Sequence, residues 1–280
     1  MTVPLGTIDC HAHLGEFRGY DLSEETLLAE LDRGNVALAL VSNIDGADVP
    51  GKTRGLDEGA ANRATAHAVH RNRRRLRGLL WARPNTGSAS NLAPFLDEHL
   101  PPLADDPWTR RVFVGIKLHP EMNGFAADDP AVDPYMELAR EYRVPVVIHC
   151  DGQVDQASAA RIHALARRHP QVPVVLYHMG FRGPYEPAIQ AAQEAGERGD
   201  ARLYLETAQA PVEAVLLALR QVGPRRILFG TDATYFGSGH YEHYRALRAA
   251  LAGHLEEDEL ERVMRLNACQ LFSLTRQEEP

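Results

Sequence analysis

Two histidines one residue apart, His11 and His13, close an apolar segment near the start of the chain. An aspartate, Asp232, follows Phe229-Gly230-Thr231 near the other end. In an extended strand residues i and i+2 face the same side, so both imidazoles can grip one cation. Asp9 falls on that face by the same rule and could orient a ligand ring from behind. Asp232 offers a hard anionic ligand that can also take a proton from a metal-held water. Further polar residues end other apolar runs: Lys117 and His119, His149, His178, and Glu206. One histidine at such a place reads as a packed strand end. Several at matching ends, beside a His-x-His pair and an aspartate, read as a site. Imidazole nitrogens with carboxylate oxygens suit Zn2+ first, with Mn2+, Fe2+ and Co2+ as rivals.

The elements that must bring these residues together alternate along the chain. Strands are expected at Gly6–His11, Val36–Asn43, Leu76–Trp81, Arg111–Leu118, Val144–His149, Val172–His178, Ala201–Glu206 and Arg226–Gly230. Several are near-continuous Val/Ile/Leu runs, as parallel strands covered on both faces require. Helical spacing falls between them, at Ser23–Arg33, Leu56–Asn72, Pro134–Tyr142, Gln156–His169, Tyr185–Glu197 and Val212–Val222, then at His240–His254 and Asp258–Leu274. Strand and helix in eightfold alternation predict an α/β fold, a (β/α)8 TIM barrel, with an open doubly wound sheet as the alternative. No composition break divides residues 1–280, so one domain is expected. In a barrel the C-terminal strand ends converge on one mouth, and every residue singled out above lies at such an end. Arg83 and Asn85 end the third strand and could bind a carboxylate. The loops Gly15–Asp21, Asp45–Gly55 and Glu121–Asp129 fall where barrel enzymes place substrate contacts. The longest irregular stretch is Pro101–Trp108.

Composition narrows the function. The 280 residues carry a net charge of −8, so nucleic acid is not an expected partner. The basic run Arg71–Arg77 reads as a solvated helix end. No stretch approaches the roughly 18 apolar residues of a membrane span, and no signal peptide is visible. Cys10, Cys150 and Cys269 form no disulfide or zinc pattern, which suits a reducing, cytoplasmic setting. Cys150 should face away from His149 and is not read as a nucleophile. Gly237-Ser238-Gly239 is too short for a phosphate cradle, and no Gly-x-Ser-x-Gly elbow is present.

The motifs Asp9-Cys10-His11-Ala12-His13, Gly115-Ile116-Lys117-Leu118-His119-Pro120, Ile148-His149, His178-Met179-Gly180, Phe229-Gly230-Thr231-Asp232 and Asn267-Ala268-Cys269-Gln270-Leu271-Phe272 resemble those of the amidohydrolase superfamily, in its amidohydrolase-2 branch of hydrolases and decarboxylases. The resemblance runs from residue 7 to about 274. It implies metal binding by His11, His13 and Asp232, with His149 as a further ligand. His178 would bind a second metal or polarise the substrate, and Asp232 would shuttle the proton. In some members a lysine at the position of Lys117 is carboxylated and bridges two metals. An ammonium beside a divalent cation is disfavoured at low dielectric, so Lys117 must become a carbamate, lose its proton or point elsewhere. One cation and two are both open on this reading.

The function expected is hydrolysis of an amide, lactone or ester by a metal-activated water, on a small molecule, anionic ones included. His119, Arg83 and Glu206 are candidate substrate contacts. The alternative is non-oxidative decarboxylation of an aromatic or unsaturated acid. A non-catalytic binding barrel is the third reading, and a homodimer is compatible with all three.

Overall fold

The computed structural model describes residues 6–17, 19–49 and 54–275. Part of the expected Asp45–Gly55 loop lies outside them. The chain opens with β1 (Thr7–Phe17), which turns back into a short antiparallel β2 (Tyr20–Leu22). It continues through α1 (Glu24–Arg33), β3 (Val36–Asn43), α2 (Glu58–Arg71), β4 (Leu76–Ala82), α3 (Ala93–Leu96), β5 (Phe113–Leu118), α4 (Pro120–Asn123) and α5 (Asp133–Tyr142). Then follow β6 (Val146–Asp151), α6 (Ala159–Arg168), β7 (Pro173–Phe181), α7 (Glu186–Arg198), β8 (Arg202–Glu206), α8 (Val212–Val222) and β9 (Ile227–Leu228). The helices α9 (Arg245–His254), α10 (Glu257–Glu261) and α11 (Asn267–Leu271) complete it.

β1 and β3 to β9 pair in parallel, each with the next. The sheet closes on itself. Cys10 N donates to Phe229 O at 3.0 Å, His13 N to Ala233 O at 2.7 Å, and Ala233 N to His11 O at 3.0 Å. The architecture is therefore the expected (β/α)8 barrel, with β2 as an addition at its mouth.

Alternation along the strands builds two apolar layers. Leu38, Leu40, Val147 and Val175 face the barrel interior with Ile8, Cys10 and Tyr177, and Phe272 joins them. Val36, Ala39, Val41, Val146, Ile148, Val174 and Leu176 face the helices, where Leu27 and Leu31 of α1 meet them. A residue's parity thus decides whether it enters the interior. Lys117, His149 and Glu206 are interior positions and end up buried.

Three expectations change. The segment before β5 holds only a short 3-10 turn and α3. The final helix is broken, because Phe229 N takes the Val263 carbonyl at 3.1 Å and the chain passes through a π turn at Arg262–Leu266. The basic run is not simply solvated. Arg77 is fully buried and clasps Thr109 O through Nε at 2.9 Å and Nη2 at 2.5 Å, while Arg73 binds Pro101 O and lies 3.7 Å from Asp106. These arginines anchor the irregular 101–111 segment. Burial pulls the Arg77 guanidinium down to about 10.

Candidate metal centre

His11 and His13 reach the interior because β1 is not regular. Its pairing with β3 slips between Asp9 and Ala12, a β-bulge that puts one extra residue in β1. Cys10 and His11 then both face inward, and Asp9 does not share the face of the histidines. Asp9 instead accepts from the backbone N–H groups of His11 (2.9 Å) and Thr231 (3.1 Å), from Tyr241 Oη (2.7 Å) and from the Thr231 hydroxyl. It ties the first strand to the last, and among the described residues its hydrogen bonds come from backbone and hydroxyl groups rather than from an imidazole.

The two Nε2 atoms lie 3.2 Å apart. Asp232 Oδ1 is 3.5 Å from His11 Nε2 and 3.3 Å from His13 Nε2. Asp232 takes a left-handed φ of 60° just past β9, which carries its carboxylate back over the mouth. The outer nitrogens are occupied from behind. His11 Nδ1 is 3.1 Å from Glu206 Oε2, and His13 Nδ1 is 3.1 Å from Ser42 Oγ. Back-bonded imidazoles around a carboxylate are the arrangement that metal sites use to fix ring and tautomer.

His178 illustrates how a loop conformation can override parity. Its neighbours Val174 and Leu176 face the helices, so a regular strand would send His178 outward. Left-handed φ values of 67° at His178 and 41° at Met179 break the phase and return the ring to the cavity. Its Nδ1 lies 3.1 Å from Ala208 O, and its ring centroid is 4.8 Å from that of His11. Lys117 Nζ stands 3.3 Å from His11 Nε2 and 4.1 Å from the Tyr177 ring centre.

His149 stands apart from the His11–His13–Asp232 group. Its Nε2 is buried and has no hydrogen bond among the described residues. It lies 3.6 Å from Glu121 Oε2 and 3.9 Å from Asp151 Oδ2. A buried ring nitrogen with no hydrogen bond in a polar cavity is what a bound cation would explain. Two donor groups thus face the mouth, His11–His13–Asp232 and Glu121–His149–Asp151, and His178 with Glu206 makes a third around His11. The donors fit a divalent cation.

A cavity of about 230 Å3 opens above these groups. His13, His119, His149, His178 and Asp232 form its floor, and Phe17, Tyr20, Met122, Phe181, Arg182 and Tyr235 belong to its walls. Tyr20 stacks on Tyr235 with 4.8 Å between ring centres, so the β1–β2 hairpin meets the loop after β9. Glu206 does not reach this cavity. It is fully buried, held by His11 Nδ1 and by the backbone N–H groups of His178 (3.0 Å) and Ala208. Arg83 is also outside. Its side chain turns to Leu56 O (3.3 Å) and Asp48 (3.4 Å), while Asn85 binds Asn123 O at 2.7 Å. Arg182 is the guanidinium that lines the cavity, oriented by Asp151 through Nε at 2.9 Å and by Glu121 at 3.1 Å. Gln209, at φ 56°, donates to Asp232 Oδ2 at 2.7 Å.

Burial sets the electrostatics. It holds His11, His119 and His178 well below the ordinary imidazole value, so the rings are neutral. It brings the Lys117 amine down to about 7, against the pull of Asp232 and Glu206. It lifts Asp232 to about 6 and Glu206 to about 8. A cation among these groups would favour their anionic forms.

The model of the Amidohydrolase family, in its amidohydrolase-2 branch, matches residues 8–274, and the chain belongs to that family. It is an enzyme of the metal-dependent amidohydrolase class. Among solved structures it is similar to a dihydroxybenzoic acid decarboxylase from Polaromonas sp. JS666 with bound manganese and 2-nitroresorcinol, at 18% identity over 98% of each chain and a TM-score of 0.69. It is similar to 5-carboxyvanillate decarboxylase from Sphingomonas paucimobilis, at 17% identity over 97% of this chain and 100% of that one, with a TM-score of 0.64. It is also similar to a probable 2-pyrone-4,6-dicarboxylic acid hydrolase from Acinetobacter baumannii with citric acid bound, at 14% identity over 95% and 99% and a TM-score of 0.66. At these identities the likeness is one of fold. No curated protein matches the chain significantly.

Proposed function

We propose that the chain hydrolyses a lactone, ester or amide in a small carboxylic acid with a planar ring. The observation that carries this reading is the position of Asp232. One oxygen lies within 3.5 Å of both His11 and His13 Nε2, and the other accepts from Gln209. A Zn2+ or Mn2+ ion held by His11, His13 and Asp232 would supply a Lewis acid and a water of lowered pKa.

The chain's own residues do the rest. Asp232, lifted by burial to about 6, accepts the proton of the attacking water near neutral pH. Gln209 fixes the plane of that carboxylate. His178 has Nδ1–H turned to the Ala208 carbonyl, which leaves the Nε2 lone pair to serve as a further ligand to that cation. Tyr20 and Tyr235 offer flat walls for a ring, and Arg182 takes the place that the sequence suggested for Arg83 in meeting a carboxylate. Lys117 beside a cation is a neutral amine or a carbamate; a mass increase of ~44 Da, or density beyond Nζ, distinguishes them.

The test is product analysis in H2-18O with planar lactone and hydroxybenzoate acids. Label in a ring-opened product supports hydrolysis. Release of CO2 with no label supports the second reading, decarboxylation, which the aromatic walls and the decarboxylases of the same fold favour. Asp232→Asn should keep the fold and nearly abolish turnover. Full activity in that variant sinks the mechanism.

A further inference from the structure

His119 has an unusually constrained ring. It is the first residue after β5 and caps α4, with Nδ1 accepting the Met122 backbone N–H at 3.3 Å. One face stacks on His149 at 3.9 Å between centres and 15° between planes, and Trp81 lies 6.0 Å away at 29°. The ring is 4% exposed, and that exposure is toward the cavity it lines. An imidazole whose Nδ1 accepts a hydrogen bond carries its proton on Nε2. Trp81 is itself held, since its backbone N–H donates to Asn62 Oδ1 at 2.8 Å and its ring rests against Gly46.

We propose that His119 is a fixed hydrogen-bond donor, presenting Nε2–H to an oxygen of the bound acid. The backbone of Met122 sets the tautomer, and the stack of Trp81 and His149 sets the plane, so the donor is in place before the ligand arrives. Preorganisation of this kind spares the ligand the cost of ordering the group. It also separates His119 from its neighbours on the floor: His11, His13 and His149 offer lone pairs to a cation, whereas His119 offers a proton to an oxygen. The proposal deepens the carboxylic-acid reading above and rests on it for the identity of the acceptor.

The first test is independent of any reaction. Ring nitrogen NMR of the Zn2+-loaded, 15N-histidine protein should show His119 with Nε2 protonated and Nδ1 bare. Protonation on Nδ1 overturns the proposal. The second test is benzoate binding by calorimetry to the same Zn2+-loaded protein. His119→Gln keeps an N–H donor near the place of Nε2, and His119→Asn keeps only the cap near Nδ1. We expect His119→Asn to weaken benzoate about tenfold or more, as loss of a hydrogen bond to a charged group does, and His119→Gln to stay within about threefold. Both should bind Zn2+ as the wild type does. Equal binding of benzoate by His119→Asn and wild type overturns the proposal. Wild-type protein that binds no benzoate, with Nε2 protonated in the spectrum, overturns the carboxylic-acid reading and supports the fixed tautomer.

Discussion

Glu206 Oε2 lies 3.1 Å from His11 Nδ1, and the same oxygen accepts the backbone N–H of His178 at 3.0 Å. One buried carboxylate therefore orients a ring on the first strand and the backbone at the end of β7. Gly230 makes room for it. A Cβ at Gly230 would stand 2.3 Å from Glu206 Oε1.

Two substitutions test that link. Glu206→Gln and Gly230→Ala should each lower Mn2+ affinity by about 10- to 100-fold, the usual effect of losing the partner behind a ligating histidine. Titration of metal-free protein with Mn2+ measures it. Wild-type affinity in both variants would show that His11 needs no carboxylate behind it.

Asp9 gives a prediction about pH. Burial lifts its carboxyl from 3.8 to about 6, against the hydrogen bonds that favour the anion. Between those values the folded state holds more protons than the unfolded one, so this contribution to stability is full below pH 3.8 and is lost as pH rises through about 6. Denaturant unfolding of metal-free protein should show a steeper loss in the wild type than in Asp9→Asn, whose remaining slope comes from Asp232 and Glu206. The variant should also be less stable by about 1–3 kcal/mol at pH 4, because an amide cannot accept all four hydrogen bonds from His11, Thr231 and Tyr241. Parallel pH profiles for the two proteins would assign the effect elsewhere.

Arg182 and Arg83 should separate cleanly. Arg182→Ala removes the guanidinium of the cavity wall and should raise KM for a carboxylate substrate at least tenfold. Arg83→Ala removes contacts to Leu56 O and Asp48 and should leave KM within about twofold. Steady-state kinetics on the acid identified by product analysis decides between them.

The barrel, its strand order and the convergence of His11, His13 and Asp232 were legible because they follow from periodicity and from which end of a strand a residue occupies. Asp9 was misplaced by the same periodicity, since one extra residue in β1 reverses its face and no sequence signal marks the bulge. Arg182 and Gln209 were hidden for a related reason, and His178 was placed rightly by its strand-end position although parity alone would turn it outward. All three residues take left-handed backbone angles, at φ 66° for Arg182, 56° for Gln209 and 67° for His178. Such angles are set by the surrounding loops rather than by residue type. Glu206 was visible as a strand-end acid, yet its distance from substrate depends on the small size of Gly230, a tertiary fact. The Tyr-x-Leu of β2 is too short for alternation to show.

The seam between β1 and β9 has a consequence for how the protein comes into being. His11 and His13 leave the ribosome more than 200 residues ahead of Asp232. Until residues 229–233 are laid against β1, neither the approach of the Asp232 carboxylate to the two imidazoles nor the backbone bonds from Cys10 and His13 exist. An ion bound by all three ligands therefore certifies that the last strand has been made and docked. Metal capture by these three would then report that β9 has docked on β1, and a chain cut short of Asp232 would keep the His-x-His pair without that carboxylate.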